Sequence, residues 1–237
     1  MATTSQVRLP ARDRRLQIMG AAKELFARQG FEGTTTRQIA QRARVNEAII
    51  FRHFPSKEDL YWAIIDRESE LAGWQPALER KLSSGAGDRE IFASIAEDIL
   101  VGRAQDSSLS RLLLFSALEN QRRSLRFFQA HVVAYYELIA GYIRGRIEEG
   151  AFRAVNPLLA ARGFVGMIVY HSLIQEIYGA KRYQDFDVKE VSETLTDIWL
   201  GGMEIRVHPD QAKAASLGTP AEGQNPRRKA KSSQLRA

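Results

Sequence analysis

The side chains with the most chemistry to offer lie between Thr35 and Lys57, in the run TTRQIAQRARVNEAIIFRHFPSK. Guanidinium, amide, carboxylate and ammonium groups recur there among small and aromatic residues, and none is arranged as a nucleophile beside a base. Such a set is suited to recognition: Arg and Lys to phosphate oxygens, Arg, Gln and Glu to base edges, an apolar side chain to a thymine methyl. Charge is distributed to match. The formal net charge of +6 over 237 residues divides as +5 over residues 1–60, −3 over 61–206 and +4 over 207–237. A basic head on a mildly acidic body suits a polyanionic partner for the head.

The elements that must position these groups can be read from caps and breakers. Upstream, Ile18, Ala21, Ala22, Leu25 and Phe26 recur at helical spacing over 12–29, and Gly30 ends that helix. Thr35 and Gln38 have capping-box spacing for a helix over 36–43, with Ile39 and Ala40 inward. Arg44 and Val45 form a turn, and Asn46 caps a helix over 47–53, anchored by Ile50 and Phe54. Pro55 stops it, and Ser56 with Asp59 opens a fourth helix reaching Trp74. With the third helix in a major groove, Thr36, Phe51, His53 and Lys57 form the positioning set. Arg37, Gln38, Glu47, Ala48, Ile49 and Arg52 are then the candidates for base edges, beside the cap Asn46. Glu47 either accepts from a cytosine amino group or faces away, and Ile49 and Phe51 are also candidates for core packing.

The stretch Ile18–Ile65 resembles the N-terminal domain of the TetR family of one-component transcriptional regulators. The likeness rests on AxxLFxxxGF at Ala22–Phe31, TTxxIAxxAxV at Thr35–Val45 and the I-F-x-H-F-x-S-K-E-x-L run at Ile50–Leu60. It covers about 50 residues at several fixed spacings. It implies an all-helical fold, with an N-terminal three-helix domain carrying a helix-turn-helix and a C-terminal body that binds a small ligand and dimerises. The last two long helices of each chain would form a four-helix bundle with those of a partner. Three departures stand out: Arg44 replaces the usual turn glycine; Glu47, Ala48 and Ile49 stand where small, hydroxyl-bearing or basic residues are frequent; and Phe51 replaces the usual tyrosine, losing a hydroxyl for phosphate.

The rest of the chain reads as helix over 88–105, 108–121, 124–149, 157–178 and 188–205, with no strand pattern and no repeat. Asn156 before Pro157 marks the start of the fourth of these. Leu158–Tyr178 and Val188–Met203, with Gly163 and Gly166 permitting close approach, match the expected homodimer helices. Trp74, Phe92, Phe115, Phe127, Phe128, Tyr135, Tyr136, Met167, Tyr170 and His171 are candidates to line an apolar ligand cavity, with Asn120 and His131 as polar groups. Residues 1–11 read as a flexible arm, 12–60 as the DNA-binding domain, 61–206 as the effector-binding and dimerisation domain, and 207–237 as a disordered basic tail.

With no cysteine, disulfides and thiolate chemistry are excluded. His53, His131, His171 and His208 are scattered, so neither a metal site nor a cofactor is expected, and no GxGxxG, P-loop, HExxH or GxSxG pattern occurs. The N-terminus lacks a signal-peptide core, and Arg162, His171 and Gln175 interrupt the longest apolar run. The expectation is a cytoplasmic, non-enzymatic homodimer that binds an operator in double-stranded DNA, represses transcription, and is released by a small apolar or amphipathic molecule. Two other classes stay open: a small-molecule carrier or enzyme with a non-reading head, and an architectural DNA-binding protein without effector.

Overall fold

A computed structural model describes residues 10–205. Most of the anticipated arm over 1–11 and the basic tail over 207–237 therefore lie outside the described residues. Helix α1 (Ala11–Gln29) begins directly after Pro10 and ends at Gly30, whose φ of 77° is in the left-handed region. Two short helices, α2 (Thr36–Arg42) and α3 (Glu47–His53), lead to α4 (Lys57–Ala72). The fourth helix does not run on through Trp74 as expected. Gly73 adopts φ 52° and starts a separate helix, α5 (Trp74–Leu82).

The remaining elements are α6 (Asp88–Gln105), α7 (Ser108–Glu119), α8 (Gln121–Phe127), α9 (Val133–Glu148), α10 (Pro157–Ser172) and α11 (Val188–Met203). The helix expected over 124–149 begins earlier, because the Asn120 side chain accepts from the amides of Arg122 and Arg123 at the start of α8. A π turn, Phe128–Val132, separates α8 from α9, and a second, Leu173–Ile177, extends α10. After α11 the chain pairs back: the Arg153 amide donates to the Met203 carbonyl at 2.9 Å beside an isolated bridge between Phe152 and Glu204.

Two hydrophobic clusters hold these helices. The first joins Ile18, Ala22 and Phe26 of α1, Ile39 of α2, Ile50 of α3 and Leu60, Tyr61, Ile64 and Ile65 of α4, and it includes Leu112 of α7. The second is built on Phe92, whose ring lies 4.9 Å from Phe164 and 4.4 Å from Trp199, in contact distance for aromatic pairs. Ile139 and Ile143 of α9 and Ile168 of α10 complete it.

The 21-residue stretch Pro157–Ile177, mean hydropathy 1.4, is long and apolar enough to cross a membrane by length and composition. One face of it, Ala161, Phe164, Val165 and Ile168, is buried in the second cluster. Its opposite face exposes Leu159, Gly163, Gly166 and Tyr170, and α11 exposes Ile198 and Gly202.

Candidate nucleic-acid interface

The α2–turn–α3 unit is assembled by its own polar side chains. Thr35 Oγ1 accepts from the Gln38 amide at 3.2 Å while Gln38 Oε1 accepts from the Thr35 amide at 2.9 Å, satisfying two donors at the start of α2. At the other end the Val45 amide donates to Ala40 and the Arg44 amide to Gln41, at 2.9 and 3.1 Å. This pairing closes the helix with Arg44 in the left-handed position, φ 51°, where a glycine would sit without strain. Asn46 Oδ1 then caps α3 through the Ala48 amide at 2.9 Å. Caps and turn fix the angle between two helices that are individually too short to persist.

Several expected DNA contacts turn out to have work inside the protein. Glu47 accepts a very short hydrogen bond from the Thr36 hydroxyl, tying the starts of α2 and α3 together. The carboxylate thereby faces α2. Lys57 Nζ donates to the carbonyls of Phe31 and Thr34, both at 2.9 Å, and stands 4.1 Å from the centre of the Phe31 ring. Its ammonium therefore closes the α1–α2 turn, with one donor left over. Ile49 is half-buried against the first cluster, in line with the packing alternative. Asn46 serves as a cap, and the Gln38 oxygen is engaged by Thr35 and by Gln29 Nε2 at 3.1 Å. His53 is half-buried, and its carbonyl accepts from Arg15.

What remains free and outward is narrower than the sequence suggests. Arg37 on α2 and Ala48, Phe51 and Arg52 on α3 are exposed, Phe51 at 48% despite being aromatic. Neither Arg37 nor Arg52 makes an ion pair with a described residue, whereas nearby Arg42 is held by Glu24. An uncommitted guanidinium on each of the two helices, flanking a small residue and a phenyl ring, is a surface fitted to phosphates and base edges.

Behind this unit lies a joint to α7 and α8 that no local pattern announces. Glu119 Oε2 accepts from the amides of Phe31 and Glu32, at 3.0 and 3.3 Å. Arg123, only 5% exposed, stacks 3.8 Å over the Phe31 ring and donates to Glu32 at 2.8 Å. That hydrogen bond from Arg123 holds the Glu32 carboxyl below its ordinary pKa. Lys23 of α1 adds ion pairs to Glu68 and Asp106, each at 2.6 Å. These partners lie 45 to 91 residues apart along the chain, so periodicity could not find them.

The twelve candidate ligand residues do not converge. Phe127 and Phe128 line a cavity of about 420 Å3 with Leu113, Leu125 and Val132; the other ten line neither this cavity nor the two described below. Trp74 packs edge-on against Tyr135 at 5.1 Å, and burial raises the Tyr135 pKa. Phe115 lies beside Gly30 with Glu119, Asn120 caps α8, and His131 sits 3.6 Å from Asp66. Met167 packs on the second cluster, Tyr170 is exposed, and His171 meets Phe186 at 5.8 Å, its pKa lowered by burial. Of the other named aromatics, Phe92 is a core residue, Tyr136 packs against the same cluster, and Phe127 lines the Phe128 cavity. A smaller cavity, about 230 Å3, lies between α6, α7 and α10 with Arg103, Ser107, Ser110 and Leu113 in its walls. A third, about 550 Å3, is lined by charged groups including Arg12, Arg67 and Arg126. Among the described residues no cluster of three or more metal-ligating side chains occurs.

An all-helical chain whose first helices present a capped helix-turn-helix with a basic outer face belongs to the class of helix-turn-helix DNA-binding proteins. Residues 18–64 match the family model for bacterial regulatory proteins, tetR family. Over that stretch the chain carries the DNA-binding domain of the tetR family, and over its length it is similar to transcriptional regulators of that kind. It is 40% identical over 57 residues to the HTH-type transcriptional regulator YvkB of Bacillus subtilis, covering 24% of this chain and 30% of that protein. It is 26% identical over 162 residues to YfiR of the same organism, covering 65% of this chain and 76% of that protein. The chain thus spans under a third of YvkB and about three quarters of YfiR. The fold matches the crystal structure of the transcriptional regulator FadR from Bacillus subtilis in complex with stearoyl-CoA. That match has a TM-score of 0.62 at 20% identity, over 79% of this chain and 98% of that one.

Proposed function

We propose that the protein is a cytoplasmic, homodimeric, sequence-specific DNA-binding repressor whose grip on its operator is released by a small apolar or amphipathic ligand. The observation that carries this reading is the outer face of α2 and α3, where Arg37 and Arg52 are exposed without ion pairs beside Ala48 and Phe51. Residues 12–60 form the reading head and 61–206 the effector-binding and dimerising body. Arg37, Arg52 and the spare donor of Lys57 meet phosphates or base edges. Ala48 and Phe51 supply apolar contact, while Thr36, Asn46 and Glu47 act by setting helix orientation.

One head reads few base pairs, so specificity calls for two heads in fixed relation. The exposed stripes on α10 and α11, with Leu159, Tyr170 and Ile198 alternating with glycines, are suited to a two-fold helical interface. Relay from body to head is supported by α7, which lines two cavities through Leu113 and grips the α1–α2 turn through Glu119. A ligand preferring a displaced α7 shifts the population toward head positions mismatched to adjacent half-sites. FadR of Bacillus subtilis, of the same fold, was crystallised with stearoyl-CoA, which supports an amphipathic effector.

The test is DNA binding to genomic fragments at varied salt. Arg37→Ala with Arg52→Ala is expected to weaken binding by about tenfold or more and to lower the salt slope by about two. Unchanged affinity and slope would place the reading surface elsewhere.

A further inference from the structure

The smaller cavity holds a feature that packing alone does not account for. Arg103, near the end of α6, donates from Nη1 to Ser110 Oγ at 2.8 Å, and no carboxylate of a described residue lies within ion-pair distance of it. Arg123, also withdrawn from water, has one, Glu32, at 2.8 Å, and the more exposed Arg146 has Asp88 at the same distance. Burial presses the Arg103 pKa downward, so its charge sits where water compensates it poorly. A guanidinium offers five donors, and an uncompensated one in such a place is a standing demand for an anion. Around it the walls are Leu113, Leu114, Val169, Leu173 and Ile177, with Ser107 also in the lining and the Ser110 hydroxyl beside the guanidinium. The acid in the lining, Glu176, is 3.6 Å from Lys181, which offsets its charge. Leu113 also borders the 420 Å3 cavity, whose walls are mainly apolar. A π turn edges each space, Leu173–Ile177 one and Phe128–Val132 the other, a backbone form that concentrates at functional sites.

Resting on the reading of the body as ligand-responsive, we propose that the ligand is an anionic amphiphile. Its carboxylate or phosphate head is taken by Arg103 with Ser107 and Ser110, and its apolar chain runs past Leu113 into the cavity beside Phe128. Arg103 thereby sets the sign of charge the effector must carry, and the two cavities serve one elongated molecule.

The experiment is calorimetric titration of the full chain with decanoate, decyl phosphate and 1-decanol, each below its aggregation threshold. One anionic probe is expected to bind once per chain about tenfold or more tighter than the alcohol. The better of the two heads identifies the source of the anion. Arg103→Met is expected to erase that preference while leaving the alcohol unaffected, and Arg103→Lys to restore part of it. Equal binding of all three probes to the unaltered protein overturns the inference without recourse to any variant, as does a preference that survives Arg103→Met. Fragment binding measured on the same preparation separates the two readings. Lost anion preference with intact DNA binding removes this inference alone, whereas Arg103-dependent anion binding without DNA binding removes the repressor reading and keeps this one.

Discussion

The two hydrophobic clusters solve the packing problem at different scales. In the head, α2 and α3 are seven residues each and contribute one or two fully buried side chains apiece, Ile39 with Ala40 and Ile50. Helices that short do not stand alone, so Thr35, Gln38 and Asn46 are consumed in capping them and Glu47 in joining them. In the body, helices of 16 to 18 residues meet around Phe92, Phe164 and Trp199, and the specification is carried by interlocking rings. Polar groups there are left over: Gln175 Oε1 and Thr196 Oγ1 are buried without a hydrogen-bond partner, and Arg103 lacks a counter-ion. The first cluster also buries a hydroxyl without a partner, that of Tyr61, so the contrast is narrower. The polar side chains of the α2–turn–α3 unit are committed to caps and present a fixed surface, whereas the body keeps a cationic group without a counter-ion.

Substitutions can break or sharpen that contrast. Phe164→Ala should remove the most, about 3–5 kcal/mol in urea unfolding, because its ring is fully buried against two others. A loss under about 1 kcal/mol would mean that the body relaxes around the hole and is not held by its rings. Arg123→Met should cost about 2 kcal/mol, since a buried guanidinium leaves Phe31 and an exposed Glu32 loses only its partner. The same variant should alter DNA affinity at a distance from the reading surface, and unchanged affinity would show α8 to be passive. Asn46→Ala should lower stability by about 1 kcal/mol through the lost cap. Arg44→Gly should raise the melting temperature slightly, by about 0.5 kcal/mol in stability, as relief of the left-handed strain outweighs glycine's added freedom in the unfolded chain. A fall instead would reveal a contact made by the Arg44 side chain.

This division also sets how much could be read from the chain. Caps at Thr35 and Asn46 and the break at Pro55 act within three residues of themselves, and the helices they delimit were legible to within a residue or so. Helix boundaries set by backbone geometry without a cap or proline were not: Gly73 turning left-handed, and the π turn within the expected long helix. Site residues divided in the same way. Arg37, Ala48, Phe51 and Arg52 are exposed as the helical pattern implies, whereas the commitments of Lys57 and Glu47 arise from neighbours on other elements. Aromatic composition in the body pointed to a cavity but misplaced its walls, because rings at helical spacing packed on one another and the cavities formed around aliphatic residues, serines and Arg103.

Gly30 joins two constraints at one position. Its φ of 77° favours glycine, and a β-carbon there would stand 1.9 Å from Glu119 Oε1. The carboxylate that grips the head from α7 thus occupies the volume of a missing methyl group. Positions 30 and 119 are therefore a coupled pair in evolutionary terms. Descendants that gain a side chain at 30 should shorten or lose the acid at 119, and this correlation across 88 intervening positions would trace which relatives retain the same joint.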